Sequence, residues 1–196
     1  MTRSRWLALA LCCAFATVPA VAGDAETPVT ARPTQSVLEL DRVEAPRGAS
    51  EVLVPIRIQD RRGTPLGPEQ PRQAQVQGIA LRVRILPGTA VTSAQIERAG
   101  LLTNVVPLFE VNPRTADGAS WLVSLDAGLF GPRQTTDATG MVAQLRLRLA
   151  PGLASGARIR LQLDPGTSLL ANRDGSIEES IGNGWLELRD GSIKVP

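Results

Sequence analysis

The 196-residue chain contains no histidine and no tyrosine, its aromatics amount to 3%, and its two cysteines are the adjacent Cys12 and Cys13. Histidine is the commonest general base and metal ligand, so its absence removes most of that chemistry. Without histidine or a distant cysteine, no serine or threonine has a partner to activate it as a nucleophile. Neighbouring cysteines offer no disulfide staple between distant segments. Charge of one sign is also missing: Arg3 and Arg5 account for the whole formal excess of +2. The remainder balances, so net basicity gives no reason to expect nucleic acid. No apolar run reaches the roughly 20 residues that a membrane-spanning helix needs.

What is present begins with an export pattern. Arg3 and Arg5 precede an apolar run from Trp6 to Ala16, and Pro19 precedes the small-x-small site Ala20-Val21-Ala22. This is the layout of a signal peptide over residues 1–22, cleaved before Gly23. Lipidation would want a small residue before the modified cysteine, whereas Leu11 precedes Cys12 and the chain stays apolar beyond Cys13. The expected destination is the periplasm or the extracellular space. Residues 23–35, with Pro28 and Pro33 among Thr and Ala, read as a flexible lead-in. The single folded domain is then expected over 36–196. With both cysteines in the leader, the core must supply its stability unaided.

Period-2 alternation dominates that domain. Val52, Val54, Ile56 and Ile58 alternate with Leu53, Pro55 and Arg57; Ile79, Leu81, Val83 and Ile85 with Ala80, Arg82 and Arg84. Met141, Ala143, Leu145, Leu147 and Leu149 alternate with Gln144, Arg146 and Arg148, and Ile159, Leu161 and Leu163 with Arg158, Arg160 and Gln162. Each run offers one apolar and one polar face, as in antiparallel sheets packed on one side. Weaker strands are expected at Val37–Arg42, Val91–Ile96, Leu108–Val111, Ser120–Asp126, Ser168–Ala171, Trp185–Leu188 and Ser192–Val195. Ser93–Ala99 alternatively fits a helical turn. Turns are marked by Asp117-Gly118, Asp174-Gly175 and Asp190-Gly191, where glycine supplies positive φ. Asp60–Gln77 and Ala127–Gly140 are long connections. Many short strands with frequent turns indicate an all-β sandwich or barrel.

The order of elements resembles the cohesin domain, the jelly-roll module of cellulosome scaffolds. Val37-Leu38-Glu39-Leu40 followed by Glu51–Ile58 is similar to the family's opening strand pair with its apolar-Pro-apolar step. Gly78–Val83 resembles the third strand and Gly140–Leu147 the sixth, both entered through glycine. Leu188-Arg189-Asp190-Gly191-Ser192-Ile193-Lys194-Val195 resembles the closing strand. The resemblance implies an antiparallel β-sandwich of jelly-roll topology with about nine strands, and a dockerin-like protein partner. It departs from the pattern at the long Asp60–Gln77 connection and at an insertion over Asn172–Gly184.

Candidate chemistry is sparse. In Asn172-Arg173-Asp174-Gly175-Ser176 the first and last positions of a calcium loop would be Leu170 and Ile181, which provide no carboxylate, so a tight turn is the better reading. Glu178 and Glu179 are adjacent on extended chain and point to opposite faces, which rules them out as a facing glycosidase pair. Lys194 reads as a solvated side chain. Of the two tryptophans beyond the leader, Trp121 shares a face with Val123 and Leu125 and reads as core. Trp185 faces away from Leu186 and is the possible carbohydrate contact.

The arginines carry more information. Arg82, Arg84, Arg146 and Arg148 lie on the polar faces of two strands, and the resemblance implies that those strands are neighbours in one sheet whose face docks the partner. Four guanidiniums on one surface would suit an acidic protein partner. The plainer account is a lysine-poor chain using arginine at solvated strand positions. The expectation is therefore an exported, non-catalytic β-sandwich that binds an acidic protein through Arg82, Arg84, Arg146 and Arg148, without cofactor or metal. Carbohydrate binding in polysaccharide breakdown, or a structural role in an envelope assembly, are the alternatives.

Overall fold

Thirteen strands, described in a computed structural model, place the alternating apolar residues on the inner faces of two sheets. The structure describes residues 34–103, 109–116, 120–128 and 139–196, with backbone alone at 109–116 and 128. The expected signal peptide, the lead-in up to residue 33, the Asp117-Gly118 turn and the middle of the Ala127–Gly140 connection lie outside the described residues.

The strands are β1 (Ser36–Leu40), β2 (Arg42–Glu44), β3 (Glu51–Gln59), β4 (Gly78–Leu86), β5 (Val91–Arg98), β6 (Phe109–Ala116), β7 (Ser120–Gly128), β8 (Gly140–Leu149), β9 (Arg158–Leu163), β10 (Leu169–Ala171), β11 (Glu178–Ser180), β12 (Leu186–Arg189) and β13 (Gly191–Lys194). The first sheet has the order β12-β1-β3-β8-β5. In the second, β4 is the hub. One of its edges carries β7 along Gly78–Ile85, and β7 in turn carries β6. The other edge is shared by β10 at Gly78–Ala80 and by β9 at Val83–Leu86. Beyond β10 lies β11, and beyond β9 lie β13 and β2.

Alternation explains the packing. Val52, Val54, Ile56 and Ile58 of β3, Leu145 and Leu147 of β8, and Ile79, Leu81, Val83 and Ile85 of β4 are all buried in one core cluster. Each such side chain contributes about 1.5–3 kcal/mol through removal from water. Ser93–Ala99 resolves in favour of the strand: Ala94 and Ile96 point inward from β5, opposite Leu147 and Leu145. No helix among the described residues is long and apolar enough to cross a membrane.

The fold is the expected sandwich, and the strand count among the described residues exceeds nine because the first and last strands each change sheet and the short β10 and β11 add a further pair. After Leu40 the chain leaves the first sheet and enters the second as β2; after Arg189 it leaves β12 for β13. The two remain partners throughout, β1 with β12 and β2 with β13, both in parallel. The Asp190-Gly191 pair is therefore not a reversing turn. Gly191 is not among the glycines with positive φ, and it serves instead where two backbones meet. A Cβ on it would stand 2.7 Å from the Asp41 carbonyl oxygen and from the Leu40 Cβ. Gly175, with φ of 71°, does fit the turn read from the sequence.

Candidate binding surface

The four arginines singled out from the sequence do not share a face. Arg82 and Arg84 project outward from β4 in the second sheet; Arg146 and Arg148 project outward from β8 in the first, on the opposite side of the sandwich. The strand lying along β4 is β7, which the sequence marked only weakly, whereas β8 is sandwiched between β3 and β5. The expected cluster of four is thus split into two pairs.

The two outer faces differ in how their charges are used. On the first sheet Arg146 binds Glu97 through Nε and Nη2, the latter at 2.9 Å, and also reaches Glu51. Gln144 donates to the same Glu97 at 3.1 Å. Arg57 donates through Nε to both oxygens of Asp41 at 2.9 and 3.0 Å. Arg189 donates to Glu187 at 2.8 and 3.2 Å, with Glu39 at 3.9 Å. Hydrogen bonds from Arg146 hold the Glu97 carboxyl below its ordinary value, and those from Arg189 do the same for Glu187. Planar guanidinium forks engaged in this way are occupied locally, whereas Arg148, exposed on β8, has no carboxylate within ion-pair distance among the described residues.

The outer face of the second sheet leaves four of its cations open. Arg42, Arg84, Arg158 and Arg160 are exposed and have no carboxylate within ion-pair distance among the described residues. Arg82 lies 4.0 Å from Asp164, and Lys194 lies 3.4 Å from Glu44. Strand register sets this arrangement: Arg160 stands beside Ser192 and Ser192 beside Arg42, while Arg158 stands beside Lys194. Two depressions open along this region. One of about 950 Å³ lies between Arg42, Arg84 and Gln162 on one side and Glu39, Asp41 and Arg189 of the first-sheet side on the other; another of about 520 Å³ is lined in part by Arg42, Glu44, Arg158, Arg160, Asp190 and Lys194. They meet at Arg42, Gln162 and Asp190. The sequence displayed Arg158 and Arg160 as a polar alternation, but only the β9–β13–β2 pairing shows them to be neighbours of Arg42.

The remaining candidates have definite places. Trp185 is half-buried, just ahead of β12, and lines neither depression. Trp121 faces the core, and its Nε1 donates to the Gly88 and Val91 carbonyls at 3.1 and 3.0 Å. Glu178 is exposed and Glu179 fully buried, so the pair divides between two faces as the extended chain dictates. The Asp174 carboxylate is taken up by its turn, accepting from the Ser176 N–H at 3.1 Å and hydroxyl at 2.7 Å.

No family model matches the sequence, and no curated protein does. Solved structures do match. The sixth cohesin of scaffoldin B from Acetivibrio cellulolyticus, solved with a dockerin, superposes with a TM-score of 0.58 at 15% identity, over 83% of this chain and 100% of that one. The third ScaC cohesin of the same organism, with the ScaB dockerin, gives 0.58 at 17% identity, over 82% and 99%. The OlpA cohesin of Clostridium thermocellum, again in complex with a dockerin, gives 0.58 at 10% identity, over 83% and 100%. The class is therefore set: this is a cohesin-like β-sandwich.

Proposed function

We propose that the chain is an exported, non-catalytic protein-binding module that docks a dockerin-like partner on the outer face of its second sheet. The single observation behind the choice of face is the contrast in charge use. On the first sheet Arg146, Arg57 and Arg189 are held by nearby carboxylates, while the exposed Arg148 has none among the described residues; on the second, Arg42, Arg84, Arg158 and Arg160 present four unengaged guanidiniums. Arginine forks left open in this way suit the carboxylates of an acidic protein surface. The similar cohesins were solved with dockerins, which supports a protein as the partner class. Of the four arginines read from the sequence, this proposal retains Arg82 and Arg84 and releases Arg146 and Arg148.

The test is capture from the native secretome on immobilised protein, with bound species identified by mass spectrometry. A partner retained by wild type and by Arg146→Ala/Arg148→Ala, but lost by Arg82→Ala/Arg84→Ala, is the expected result. Equal capture by all three proteins would reject the chosen face. Binding on a glycan array that disappears with Trp185→Ala would replace the proposal with carbohydrate recognition.

A further inference from the structure

The groove along β9 narrows the chemistry of that acidic partner. Arg158 and Arg160 are two positions apart on one strand and point to the same side, so their Cα atoms are separated by roughly 6.4–6.8 Å. An extended peptide repeats its same-side side chains at this spacing. Arg42 lies two strands from Arg160, about 9.5 Å away across β13, and Arg84 is on β4, the strand on the other side of β9. A segment lying over β9 would thus meet two cations beneath it and one on each flank.

We infer that this groove binds an extended acidic segment of a protein partner, in which carboxylates alternate with other residues and pair with Arg158 and Arg160. The inference rests on the proposal that the second sheet carries the docking face. Each carboxylate can take a bidentate pair from one guanidinium, the geometry in which arginine is strongest. Gln162 continues the row as a neutral amide donor, so two carboxylates in register are enough. A continuous polyanion fits less well, because the same depressions carry Glu39, Asp41, Glu44, Asp164 and Asp190. A sugar chain would want an aromatic platform, and none of the lining residues is aromatic.

Fluorescence anisotropy of the full protein with a labelled peptide of alternating Glu and Ser tests the inference. A second peptide of the same composition, with its glutamates in one block, provides the spacing control, and a polyuronate provides the carbohydrate control. The alternating peptide should bind best, weaken by roughly tenfold or more in Arg158→Ser/Arg160→Ser, and keep its affinity in Arg148→Ala. Equal binding of the two peptides, tighter binding of the polyuronate, or indifference to Arg158→Ser/Arg160→Ser would each overturn it. Should peptide binding fail while Arg82→Ala/Arg84→Ala still abolishes capture of the natural partner, this inference falls and the docking face stands. Failure of peptide binding together with partner capture that survives Arg82→Ala/Arg84→Ala would remove the docking face as well.

Discussion

The backbone N–H of Leu66 donates to Glu179 Oε1 at 2.8 Å, joining two segments 113 positions apart. Both residues are fully buried. Leu66 belongs to the long Asp60–Gln77 connection and Glu179 to the Asn172–Gly184 insertion, the two places where the sequence leaves the cohesin pattern. The structure makes them one feature. Gln77 N–H donates to the Ala171 carbonyl at 2.8 Å, and Asn172 Nδ2 to the Gln73 carbonyl at 3.4 Å. Replacing Glu179 by alanine strands the Leu66 N–H in a buried site, so Glu179→Ala should lower the unfolding free energy by about 1–3 kcal/mol. Glu179→Gln keeps an acceptor for the Leu66 N–H and should lose less stability in urea denaturation than Glu179→Ala, which isolates the contribution of that hydrogen bond.

Gly191 sits where the first and last strands pass from one sheet to the other. Its missing Cβ leaves room for the Asp41 carbonyl and for Leu40, each of which would be 2.7 Å from an added methyl group. The Asp41 contact is backbone, so no side-chain rotation relieves it. Gly191→Ala should cost about 1–3 kcal/mol, as overpacking of a tight core contact does. A loss of Tm with an unchanged far-ultraviolet spectrum is the expected reading. Unaltered stability would mean that the two strands can separate at the corner without penalty.

Legibility followed the length of the alternation. Nine positions of strict period 2 in β3 and β4 declare both an element and its inward face, because burial of one face is what fixes register. The three-residue strands β2, β10 and β11 are too short to show a period, and their pairing comes from tertiary contact. The arginine pairs were visible as outward residues, but the sheet that owns each strand is a property of topology. Ser120–Gly128 is a less regular run than Gly140–Leu149, yet it is the one that lies along β4. Asp190-Gly191 illustrates the same limit: the dipeptide has turn composition, while its neighbours Leu40 and Asp41 make it a crossing point. Glu179 was read correctly as facing away from Glu178, but nothing local announces that Leu66 waits across the core.

Trp121 anchors the turn after β4. Its indole N–H is shared between the carbonyls of Gly88, which opens the short 3-10 turn Gly88–Ala90, and of Val91, which follows it. Phenylalanine would keep most of the apolar contact and lose this donor. Trp121→Phe should therefore destabilise the protein by about 0.5–1.5 kcal/mol, measured by urea denaturation. The partner-binding affinity should be unchanged, because the ring faces the core rather than the outer surface of its sheet.

Part of the acid sensitivity should originate on the first sheet. The Glu97 carboxyl is held below its ordinary 4.5 chiefly by hydrogen bonds from Arg146 and then Gln144, and Glu187 is held down by Arg189. A carboxyl whose folded value is lowered contributes stability that is complete above its unfolded value and disappears as pH falls through the folded one. The unfolding free energy should accordingly be level in the neutral range and decline from about pH 5 downward. Both groups are partly solvated, so each contribution is small and weakens with added salt. Glu97→Gln should flatten the acid limb of a plot of urea midpoint against pH, while leaving partner capture intact because Glu97 belongs to the opposite face from Arg82 and Arg84. An acid limb as steep as that of wild type would show that the Arg146 pairing does not persist in solution.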